Sequence, residues 1–162
     1  MDQIRFVEAL TDSSAAVRSA VARTLGEVGD PQTLGPRLAD ALREGNLPTR
    51  RAAVNTLIEL DVPPAYSALR KAVYDIDSEV RQGAVAALGE AGVVQAVPLL
   101  VNRLLHDETP GVRGEAAFRL GKIGDKTALR ELESAAKADP DPIVRGWATW
   151  ASEQLRRQHG SG

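Results

Sequence analysis

Apolar side chains recur along the chain at steps of three and four residues, as in Val17, Val21, Leu25 and Val28, the spacing of one face of an α-helix. No stretch shows the two-residue alternation of a strand, so the predicted fold class is all-α. The helical runs stop at Gly29, Gly92 and Gly124, where a residue without Cβ can take the left-handed turn that closes a helix. A second apolar run follows each stop: Leu34, Leu38 and Ala41; Val97, Leu100 and Leu104; Leu129, Leu132 and Ala136. In Gly29-Asp30-Pro31 and Gly124-Asp125-Lys126 the aspartate is placed to cap this second helix, and Pro31 suits its first turn. Asp61-Val62-Pro63-Pro64 departs from that pattern, and its turn is expected to differ. Pro36 and Pro98 are expected to shorten or kink the start of their helices.

The helix pairs repeat. Arg18, Arg50, Arg81, Arg113 and Arg145 stand 32, 31, 32 and 32 residues apart, a period typical of helical repeat arrays. Six residues before each arginine sits an acid: Asp12, Glu44, Asp75, Asp107 and Asp139. Four before it sits a strong helix N-cap: Ser14, Asn46, Asp77, Thr109 and Asp141. Three before it, Pro110 and Pro142 take the favoured first helical position. An acid matched to every arginine at a fixed offset is expected to form ion pairs from one repeat to the next. A phosphate ladder would need surplus cations instead.

Residues 2–11, with Phe6 and Leu10, match a second helix alone, and residues 142–157 match a first helix alone. The expected organisation is one domain over 1–157: a helix at 2–11, repeats at about 12–43, 44–74, 75–106 and 107–138, and a half-unit at 139–157. A flexible tail at 158–162 follows. About ten helices are expected. A helical hairpin cannot bury its apolar stripe alone, and stacking copies makes one continuous core. Trp147 and Trp150 fall in the last helix and are expected to cover that end.

Units such as DIDSEVRQGAVAALGEAGVVQAVPLL and DETPGVRGEAAFRLGKIGDKTALREL resemble HEAT repeats, in the short HEAT-like class first named from phycobilisome (bilin) lyases. The likeness runs over residues 12–157. It is poorest in the second unit, with Thr49 in place of Val and with Ile58 and Asp61 in place of the two glycines. It implies a right-handed α-solenoid of stacked helical hairpins, an armadillo-like superhelix whose second helices line the concave side. It also implies an Asp–Arg ladder between neighbouring repeats, and protein binding as the usual task.

Composition narrows the chemistry. The 20 basic and 22 acidic residues leave a formal charge of −2, which gives no general attraction to nucleic acid. There is no cysteine, and His106 and His159 are the only histidines, so no metal cluster, thiolate site or His-based triad is expected. Deoxyhypusine hydroxylases, a HEAT-like family, bind a di-iron centre through repeated His-Glu motifs, and no His-Glu dipeptide occurs here. The pairs Gly26 and Gly29, Gly89 and Gly92, and Gly121 and Gly124 follow no strand and precede no Gly-Lys-Ser/Thr, so helix approach and termination account for them. No run approaches the ~18 apolar residues of a membrane span. A cysteine-free chain with no signal-like start is expected in the cytoplasm.

What remains is surface. On the second helices Leu42, Tyr74, Leu105 and Lys137 share one register; Leu38, Arg70, Val101 and Glu133 share another, with Lys71 and Asn102 one step on. Exposed, they would make the mixed apolar and charged strip of a protein-binding groove. Equally, Leu42, Val101 and Leu105 would serve as core. Five layers about 8–10 Å apart, with helices of roughly 20 Å, give a face of about 800–1,000 Å², one partner's share of a standard interface. The expected function is a non-catalytic scaffold, not an enzyme, holding a protein or peptide without a cofactor. The candidate contacts are Arg70, Lys71, Tyr74, Asn102, Leu105, Glu133 and Lys137. The chain is expected as a monomer or an end-to-end dimer, with no nucleic-acid or membrane partner. The alternative, carried by the resemblance, is a bilin-lyase-like subunit or a chaperone for tetrapyrroles.

Overall fold

The computed structural model describes residues 9–12, 14, 16, 17, 20, 21, 23, 24, 30–59 and 63–160. Eight α-helices have both ends among these residues: α1 (Pro31–Glu44), α2 (Leu47–Glu59), α3 (Tyr66–Ala72), α4 (Ser78–Glu90), α5 (Val97–His106), α6 (Pro110–Ile123), α7 (Leu129–Ala138) and α8 (Pro142–His159). Ten were expected. Most of the helix expected at 2–11 lies outside the described residues, as do Arg18, Leu25, Gly26 and Gly29. Ala9–Thr11 is a 3-10 turn, and Ala16, Val17, Ala20, Val21, Arg23 and Thr24 are helical. Among the described residues there is no strand.

Two compact units divide between α4 and α5, at Ala91 and Gly92. In the first, α1 packs on α2 and α3, α2 packs on α4, and α3 packs on α4. First helices (α2, α4) thus form one layer and second helices (α1, α3) the other. The second unit repeats the scheme: α6 and α8 are one layer, α5 and α7 the other. Leu34, Leu38, Val54, Leu69 and Leu88 are buried in the first unit, and Leu100, Leu104, Leu120, Leu132 and Leu155 in the second.

Local chemistry explains the ends. Asp30 caps α1 by accepting from the N–H groups of Gln32 and Thr33. Asp77 and Asp141 cap α4 and α8 in the same way, and each satisfies donors that a helix start leaves without intrahelical partners. Thr49, where other repeats carry Val, is buried because its hydroxyl donates to Asn46 Oδ1 at 2.8 Å. Gly124 closes α6 at φ 75°, the left-handed conformation that favours glycine. Pro36 lies inside the 14-residue α1, so the expected shortening does not occur. Pro98 stands at the start of α5, after a 3-10 turn at Val94–Ala96. Similar turns at Pro63–Ala65 and Lys126–Ala128 lead into α3 and α7. The entries to α3, α5 and α7 thus share a 3-10 turn, whereas α1 starts directly from Asp30; Asp61 and Val62, where a differing turn was expected, lie outside the described residues. The expected tail at 158–162 begins too early: α8 runs to His159, whose Nε2 lies 2.8 Å from the Gly124 carbonyl oxygen.

Candidate functional site

The loop before each first helix is built from the acid of the repeat. Asp12, Asp75, Asp107 and Asp139 each accept, through Oδ1, the backbone N–H two residues on, at 2.7–2.9 Å. This local turn competes well with other backbone arrangements for a short acidic side chain. Glu44, one methylene longer, occupies the fifth loop and is exposed.

The arginine that follows in each repeat braces its own loop through carbonyls. Arg81 donates to Asp75 O and Ile76 O, Arg113 to Asp107 O and Glu108 O, and Arg145 to Asp139 O and Pro140 O, all at 2.8–3.3 Å. Arg50 reaches Gly45 O at 3.1 Å. Its carboxylate partner comes from the next loop along the chain. Arg50 meets Asp75 through Nε and Nη2 at 2.9 and 3.1 Å, and Arg113 meets Asp139 at 2.8 and 2.9 Å. Such two-pronged pairs are the strong class of charge-assisted hydrogen bond. Arg103 also pairs with Asp107, at 3.3 Å. Arg18 lies outside the described residues.

Electrostatics follow from these pairs. Burial pushes the Asp139 carboxyl up, but the hydrogen bonds from Arg113 and from the Asp141 N–H outweigh it, so the group titrates below its ordinary range. Arg113 is correspondingly raised, first by its hydrogen bond to Asp139. Arg51, which the repeat pattern did not single out, bridges to Asp77 at 2.7 Å and to Glu79 at 3.0 Å. Its guanidinium holds Asp77 below the usual carboxylate range.

Above these pairs lie two grooves of like construction, one in each unit. Between α1 and α3, a space of about 420 Å³ is lined by Leu42, Ala68 and Ala72, with Arg43 and Lys71 alongside the Arg50–Asp75 pair. Between α5 and α7, about 310 Å³ is lined by Leu104, Leu105, Ala135 and Ala138, with His106 and Ser134 alongside the Arg113–Asp139 pair. Of the residues expected to contact a partner, Lys71 and Leu105 line these grooves. Arg70, Tyr74 and Lys137 are exposed on α3, just beyond it, and on α7. Asn102 accepts from Arg103 at 2.6 Å, and Glu133 accepts from Arg156 of α8. Leu42 and Leu38 are core, while Leu105 is 39% exposed and Tyr74 54% exposed; one register thus divides between interior and surface. Arg43, His106, Ser134 and Ala138 were missed by sequence reasoning. The signal was present, since the ladder residues Asp75 and Asp139 lie within three residues of the end of a second helix.

A second apolar feature involves α6 and α8. Phe118 meets Trp147 edge-on at 5.1 Å and stacks with Trp150 at 5.4 Å. Trp147 is nonetheless 41% exposed, and Ile143 70% exposed.

Two-layered helix pairs, a 32-residue period and paired loop arginines define a class, the helical-repeat proteins, and the comparisons give the family. The model for HEAT repeats matches residues 5–88 and 68–153, so the chain belongs to the HEAT-repeat family. It is 39% identical over 85 residues to deoxyhypusine hydroxylase of Candida glabrata, a match covering 51% of this chain and 26% of that protein. The chain thus spans about a quarter of the length of that relative. A phycobilisome maturation protein of Synechococcus elongatus is 28% identical over 164 residues, covering 94% of this chain and 77% of its own. The structure of human deoxyhypusine hydroxylase in complex with glycerol superposes with a TM-score of 0.65 at 23% identity, covering 96% of this chain and 74% of that one. That likeness is one of fold.

These relatives overturn the expectation that the chain is no enzyme, because a hydroxylase stands among its similar sequences. An iron centre does not fit the described residues. Among the described residues no three His, Cys, Asp or Glu side chains are grouped to hold a metal, and His159 faces the Gly124 carbonyl. Among the same residues, no helix is long and apolar enough to cross a membrane.

Proposed function

We propose that the chain is a HEAT-repeat recognition module that holds a protein or peptide along its second helices, as the binding part of an enzyme system. The observation that carries this reading is the recurrence of one groove composition in both units: apolar side chains, charged or hydroxyl side chains, and an arginine–carboxylate pair share the lining. Apolar contact with a few polar groups to fix register is the composition of a recognition surface. The HEAT-repeat membership and the enzymes among the relatives support it. Peptides selected on immobilised protein by phage display test the reading. Leu105→Asp and Lys71→Glu should each weaken the selected peptides tenfold or more, while Asn55→Ala on α2 leaves affinity unchanged. Selected peptides indifferent to both groove variants would overturn it.

A second reading has its own observation, the near full-length match to a phycobilisome maturation protein. In it the chain handles a linear tetrapyrrole or the protein that carries one. Titration with bilin would then shift the visible absorption band of the pigment. An unchanged spectrum at equimolar protein would dismiss pigment binding.

A further inference from the structure

Gly114 and Phe118 lie one turn apart on α6, and together they receive α8. The Trp147 ring lies over Gly114, where an added methyl group would meet its Cδ1 at 3.5 Å, and Phe118 packs on both tryptophans. One repeat later, α8 carries the same pair, Gly146 and Trp150. Here the seat is open, since nothing lies within 4 Å of a Cβ built on Gly146. Ile143, Gly146, Trp150 and Arg157 follow one another at helical spacing along one stripe, and Trp147 flanks it.

We infer that this stripe of α8 is an interface for a second copy of the chain, packed antiparallel so that the part of each half-buried Trp150 left uncovered by Phe118 and Gly121 of its own chain sits on the other copy's Gly146. A knob and a hole one turn apart are self-complementary under a two-fold axis, which is the requirement for a closed dimer. Charge fits the same arrangement. Pairing 150 with 146 brings the last turn of each α8 beside the partner's N-terminal flank, which holds Asp139 and Asp141. Arg156 is engaged by Glu133 and His159 by the Gly124 carbonyl. Arg157 is held by Glu153 of its own helix at 3.2 Å, with both side chains exposed, and so can exchange that partner for Oδ2 of the second copy's Asp141, whose Oδ1 caps α8. Exposed helical pairs of this kind are weak. Asp139 is occupied by Arg113. The 18-residue helix offers a contact of about 27 by 10 Å, roughly a third of one partner's share of a standard interface. The dimer is therefore weak, with Kd on the order of 10–1,000 µM.

Sedimentation equilibrium of the intact chain from about 5 to 500 µM tests this. The average mass should climb from one chain toward two. Gly146→Leu fills the seat and should weaken association at least tenfold, with an unchanged or higher melting temperature, because a Cβ there meets nothing within 4 Å and leucine favours helix over glycine. Arg157→Glu should weaken it too, by a factor that shrinks as salt is raised. A monomer at every concentration, or a Gly146→Leu protein that associates as the parent does, would overturn the inference.

Discussion

At the scale of single residues, the arginine repeated every 31 or 32 positions does two jobs with one side chain at Arg50 and Arg113. It closes its own loop by donating to carbonyls and reaches a carboxylate about 26 residues on. Removing Arg113 would leave Asp139 as a charge without its partner in a site that is almost fully buried. Breaking such a pair costs about 3–5 kcal/mol, so Arg113→Ala should lose that much in urea unfolding. Arg51→Ala should lose less than 1 kcal/mol, because its side chain is more than a third exposed. The acid side sets the pH response. Asp139 and Asp77 titrate below their ordinary range, so their contribution is complete above the unfolded value of about 3.9 and disappears as pH falls through the lower folded values. The melting temperature should therefore fall below about pH 4, and fall less steeply in Asp139→Asn. The offset between arginine and acid was legible in the sequence because it is fixed. The same fixed offset carried the expectation of pairing from one repeat to the next, the arrangement of Arg50 with Asp75 and Arg113 with Asp139.

At the scale of helices, glycine separates close approach from open surface. A Cβ at Gly121 would lie 2.7 Å from the Trp150 ring and 2.9 Å from the Ala151 backbone. Gly121→Ala should thus destabilise by about 1–3 kcal/mol despite its better helix propensity. Gly146→Ala, in open space, should gain about 0.5–1 kcal/mol. Denaturant unfolding of the two variants checks both signs. Helix type and cap positions were readable from periodicity and from residues such as Asp30, Asp77 and Asp141, whose side chains bond the helix start directly. The division between Leu42 and Leu105 was not. Periodicity fixes the direction of a side chain, and the distance to the next helix decides whether it is covered.

At the scale of the molecule, each unit pairs a layer of first helices with a layer of second helices, and each has its groove on the second-helix side. The candidate strip was partly legible: Lys71 and Leu105 belong to grooves, whereas Asn102 and Glu133 are held by arginines. Those arginines lie next to Asn102 in sequence and on another helix from Glu133, and a single register along the second helices shows neither. Non-catalytic function was the reading that failed, because fold and composition carry no trace of which relatives catalyse. Photo-crosslinking of a selected peptide tests groove recognition most directly, with benzoylphenylalanine placed in turn at positions 71, 134, 55 and 149. Recognition on the second helices predicts crosslinks from 71 and 134 and none from 55 and 149. Crosslinks confined to 55 or 149, on the first helices, would contradict it.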